Sequence, residues 1–77
     1  MVDTRSIYII IRVNKEKIGT VAGFLEGLEI GLSRTIDEEK GLMELCSPVH
    51  LKNPLKEFVE DLKTYIEVEI VETKVAD

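Results

Sequence analysis

The chain switches between two hydrophobic periods. From Arg5 to Val13 apolar residues fill nearly every position, and the odd-numbered ones, Ile7, Ile9, Ile11 and Val13, are all β-branched. Such a run predicts a strand in the middle of a sheet, covered on both faces. The odd positions are expected to face helices. The even positions, Ser6, Tyr8, Ile10 and Arg12, form a half-apolar second face that predicts a partner subunit. After the polar turn Asn14-Lys15-Glu16-Lys17 the spacing becomes three and four. Ile18, Val21, Ala22, Leu25 and Leu28 then fall on one face of a helix capped by Asn14.

Gly31 marks the turn out of this helix. Ser33–Asp37 is short and polar, as an edge strand should be, and the charged turn 37–41 ends in Gly41. A third strand runs from Leu42 to Ser47 and stops at Pro48. Asn53-Pro54 opens a second helix, with Asn53 as its cap and Leu55, Phe58, Val59, Leu62 and Tyr65 as its apolar face. The last strand spans Ile66–Glu72, with Ile66, Val68 and Ile70 opposite Glu67 and Glu69; 73–77 is a short tail.

The order βαββαβ predicts an α+β, ferredoxin-like two-layer sandwich in a single domain, 1–77, with its core over about 5–72. Its four-stranded antiparallel-type sheet has the order 4-1-3-2 and carries both helices on one face. Right-handed crossovers put strands one and three in the middle, expected to be parallel to each other. The open face then presents Tyr8, Ile10, Arg12, Leu42, Glu44, Cys46, Glu67 and Glu69. Arg12 is expected to pair with Glu44 or Glu69 on flanking strands.

Gly19, Gly23 and Gly27 fall four apart on the first helix, away from its apolar face. A helical glycine costs about 1 kcal/mol relative to alanine. The stripe therefore points to close approach by a ligand or a second backbone, unless only Gly23 is truly mid-helix. Phe24 lies beside it. Tyr8, Ile10, Arg12, Gly23 and Phe24 are the expected interface residues.

Composition narrows the function. A net charge of −5 argues against nucleic acid and against anionic membrane surfaces. No apolar run reaches the roughly 18–20 residues of a membrane span, and the start lacks a signal-peptide pattern. One cysteine points to a reducing cytoplasm. No cofactor motif is present. Cys46 and His50 have no third group to complete a catalytic or zinc site, so no enzyme is expected. Asp37, Glu38 and Glu39 offer a calcium site as a lesser alternative to a solvated turn.

The segment Ile11-Arg12-Val13-Asn14 followed by Ile18-Gly19, the helix ending in Leu28, Leu32-Ser33, and the closing Leu62…Tyr65-Ile66-Glu67-Val68-Glu69-Ile70-Val71 together resemble the ACT domain, an amino-acid-sensing regulatory module. The resemblance covers Ser6 to Glu72. Ile18 stands where family members usually carry a proline. The resemblance implies a homodimer that binds a small effector, such as an amino acid, at a subunit boundary. Asn14, Ile18 and Gly19 would form that site, with helix-start amides taking a carboxylate. The expected function is thus a non-catalytic regulatory domain. The alternatives are a ligand-free subunit that docks a partner enzyme, and a calcium binder.

Overall fold

The computed structural model describes residues 4–76. Four strands, β1 (Ser6–Val13), β2 (Leu32–Asp37), β3 (Leu42–Pro48) and β4 (Val68–Ala76), join two helices, α1 (Ile18–Leu28) and α2 (Lys52–Leu62), in the order β1-α1-β2-β3-α2-β4. The fold is α+β, with one open antiparallel sheet in the order β2-β3-β1-β4, which is 4-1-3-2 counted from the β4 edge. It is consistent with a ferredoxin-like arrangement.

β1 and β3 do lie in the middle, but they are antiparallel, not parallel as expected. Each helical crossover returns the chain parallel to the strand it left, two places across the sheet. The gap is filled by a strand of the other half running the opposite way.

The odd residues of β1 meet the helices as their β-branched pattern requires. Ile7, Ile9, Ile11 and Val13 share a core with Met43 and Leu45 of β3, with Ile18, Val21 and Leu25 of α1, and with Leu55, Phe58, Val59 and Leu62 of α2. Both helices therefore cover the same face. Leu28 and Tyr65 leave the faces assigned to them. Leu28 is 56% exposed, and α2 ends at Leu62, so Tyr65 falls in the following turn and is 84% exposed.

Several boundaries differ from the pattern reading. A 3₁₀ turn, Lys15–Lys17, precedes α1, and Asn14 caps that turn rather than the helix. A second 3₁₀ turn, Val49–Leu51, leads directly into α2, so Asn53 lies inside the helix and Leu51 occupies the cap position with no side-chain bond. β4 begins at Val68 and runs through most of the expected tail; Asp77 lies outside the described residues.

The left-handed residue after α1 is Glu29 (φ 56°), not Gly31. Gly31 has a different reason to lack a side chain: a Cβ there would stand 2.5 Å from the backbone oxygen of Cys46. Gly41 keeps its expected role, with φ +68° and its carbonyl accepting from Val13 N at 2.9 Å.

Candidate functional site

The turn from β1 into α1 uses its polar groups locally. Asn14 Oδ1 accepts from Glu16 N at 3.0 Å, and the Asn14 carbonyl accepts from Lys17 N at 2.8 Å. Ile18 N donates to the Lys15 carbonyl. The amides of Glu16, Lys17 and Ile18 are thereby occupied within the turn. Ile18 is buried in the core, while Gly19 is exposed, with no atom from elsewhere within 4 Å of where a Cβ would stand. The three residues do not converge on one site.

Asn14 instead lines a solvent-open cleft of about 840 Å³ at the end of β1. Its lining comes from Arg12 and Val13 at the end of β1 and from the turn after α2 and the start of β4, 63–69, with Arg12 and Val13 paired directly to Glu69 and Val68 across the sheet. The lining carries both signs of charge, Arg12 and Lys63 against Glu67 and Glu69. Arg12 Nη1 lies 3.2 Å from Glu69 Oε1, and Lys63 Nζ lies 3.3 Å from Glu60 Oε1. The expected Glu44 partner of Arg12 pairs with Arg34 instead, at 3.3 Å, because Arg12 stands opposite Leu42 in the register.

Lys63, Thr64, Tyr65 and Glu67 were not legible as site residues. The periodicity absorbed the first three into the second helix. The available signal was topological: in a βαββαβ order the segment before the last strand returns beside the end of the first.

The expected interface residues divide between two surfaces. Tyr8 and Ile10 are half-buried on the open sheet face, where Arg12 is exposed. Gly23 and Phe24 belong to an apolar groove of about 640 Å³ between α1 and α2, bordered also by Gly27, Leu28, Phe58 and Tyr65. Phe24 is 59% exposed there.

The acidic turn is engaged in holding itself. Asp37 Oδ1 accepts from Lys40 N at 3.2 Å, and Glu39 pairs with Lys15 at 3.3 Å. Among the described residues no three His, Cys, Asp or Glu side chains are gathered where they would hold a metal ion. Cys46 is a half-buried free thiol, and His50 is exposed. No helix among the described residues is long and apolar enough to cross a membrane. No family model, curated protein or solved structure matches this chain.

Proposed function

We propose that the chain is a non-catalytic, ACT-like regulatory module of ferredoxin-like fold that binds a small zwitterionic effector, an amino acid, at a subunit boundary. The observation that carries this reading is the mixed-charge cleft beside Asn14. An α-amino acid brings a carboxylate suited to Arg12 and Lys63 and an ammonium suited to Glu67 and Glu69. The Arg12–Glu69 pair is exposed, and such pairs contribute only about 0–1 kcal/mol, so a ligand reorganises it at small cost. A cleft this open covers one side of a small molecule. Binding sites usually enclose most of their ligand, which is the reason for assigning the cover of the open side to a second subunit. The reading takes a reducing cytoplasm as the setting, where Cys46 remains a thiol.

A thermal-shift screen of the twenty amino acids, followed by calorimetric titration, tests the proposal. Ligand at 100 times its Kd adds about 2.7 kcal/mol, a shift of several degrees for a domain this small. The expected result is a shift with one amino acid or a related group of them, lost in Arg12→Ala. No shift and no heat with any of them overturns the reading.

The groove between α1 and α2 favours a second reading, the ligand-free subunit that docks a partner enzyme. Its exposed Phe24 and Leu28 flank side-chain-free Gly23 and Gly27, a shape suited to an apolar partner surface. This reading expects no amino-acid response, and a co-purifying enzyme lost on Phe24→Asp.

A further inference from the structure

The two edges of the sheet are built differently. β2 has six residues, with Arg34 and Asp37 among them and a register break between Thr35 and Asp37. Short, charged, irregular strands are how sheets blunt an edge. β4 is nine residues long and among the described residues pairs only with β1, which leaves its outer row of N–H and C=O groups as an open edge. Ile70, Val71 and Val75 stay between 40% and 47% exposed along it. Val68 at the start of β4 packs against the core, and the strand is exposed beyond it.

The register with β1 gives each β4 residue a side. Ile70, Thr73 and Val75 stand opposite Ile11, Ile9 and Ile7, on the helix side. Glu72 and Lys74 stand opposite Ile10 and Tyr8, on the open side. Val71 is the extra residue where the register shifts.

We infer that β4 pairs antiparallel with β4 of a second copy of this chain, about a two-fold axis at Thr73, to make one continuous eight-stranded sheet. Charge complementarity within the strand selects this register. With Thr73 opposite Thr73, Glu72 of each copy faces Lys74 of the other, and this occurs twice on the open side. Val71 faces Val75, also twice, which covers exposed apolar residues. Opposite charges and β-branched pairs directly across strands are the favourable combinations. Setting Glu69 opposite Lys74 would also join opposite charges, but it puts Val71 opposite Glu72 and covers no apolar pair at the centre. A two-fold axis requires such a self-complementary surface, and the register at Thr73 supplies it. The inference does not depend on effector binding.

Sedimentation velocity on the whole chain, with single-cysteine crosslinking in a Cys46→Ser background, tests it. Residues opposite one another in an antiparallel pair lie about 4.5–5.5 Å apart at Cα, within disulfide range. Thr73→Cys is therefore expected to form a disulfide-linked dimer under mild oxidation, and Phe24→Cys on α1 is not. Lys74→Glu and Glu72→Lys are each expected to weaken the dimer about tenfold, and the double swap to restore it. Circular dichroism of each variant separates loss of pairing from loss of fold. A monomer at high micromolar concentration, crosslinking through Phe24→Cys alone, or a folded double swap that stays as weak as the single changes would overturn the pairing.

Discussion

Arg12 and Glu69 face each other across the β1–β4 pair, with Nη1 and Oε1 3.2 Å apart at the mouth of the mixed-charge cleft. Both side chains are largely in water, so their attraction is screened and its contribution to folding is small. Arg12→Ala is expected to lower the unfolding free energy by about 0.5 kcal/mol, measured by urea denaturation. Arg12→Glu, which sets two like charges opposite each other, should cost about 1 kcal/mol and be rescued by Glu69→Arg. A loss above about 3 kcal/mol for Arg12→Ala would give the pair the weight of a buried one, and the ligand argument built on its easy reorganisation would fall.

Gly41, in the turn joining β2 to β3, has no room for a side chain. A Cβ there would lie 1.8 Å from the Val13 carbonyl oxygen, and the φ of +68° is one that side chains rarely adopt. The neighbour is backbone of the central strand, held by the Val13 N to Gly41 O bond, so it has no room to give. Gly41→Ala is expected to cost at least about 2 kcal/mol, seen as a fall in the urea midpoint. A midpoint within error of the parent would show that the turn can rearrange without disturbing β1.

Gly23 should behave in the opposite way. Its Cβ would meet nothing within 4 Å, and it lies in the interior of α1. Gly23→Ala is expected to raise the stability of the isolated domain by about 1 kcal/mol through helix propensity alone. If the groove between the helices receives a partner enzyme, the same change should weaken that complex, because the methyl group enters the groove. Higher stability with unaltered partner binding would leave the glycines without a docking role.

The order of elements, the two central strands and most of the core were legible because each element keeps one period for long enough. Ile7, Ile9, Ile11 and Val13 alternate without a fault, and all four are buried. The sites were less legible because they form where elements meet. Asn14 read as the cap of α1, yet the intervening turn spends its side chain on Glu16 N. The cleft beside it depends on Lys63, Thr64 and Tyr65, which continue the helical pattern in sequence but follow the end of α2 in space. Alternation over Val68 to Ile70 could not reveal that Val71 is an extra residue, which moves Glu72 to the open side and Thr73 to the helix side. A register shift comes from pairing between strands and has no signature in one strand alone.

Leu25 and Leu28 show where a shared helical face ceases to mean shared burial. Periodicity groups them, and in the fold Leu25 is wholly buried while Leu28 is 56% exposed. Leu25 belongs to the buried core cluster, whereas Leu28, at the last position of α1, borders the open groove. Leu25→Ala removes side-chain volume from a packed interior and is expected to cost about 2–5 kcal/mol. For a domain of this size that is a large part of the total stability, so the variant should be substantially unfolded at moderate temperature. Leu28→Ala removes a group already half in water and should cost about 0.5 kcal/mol or less. Urea titrations of the two variants, repeated over a range of protein concentrations, check the contrast. Equal and large losses would mean that Leu28 is covered in solution, and the groove between α1 and α2 would then be an interface already filled.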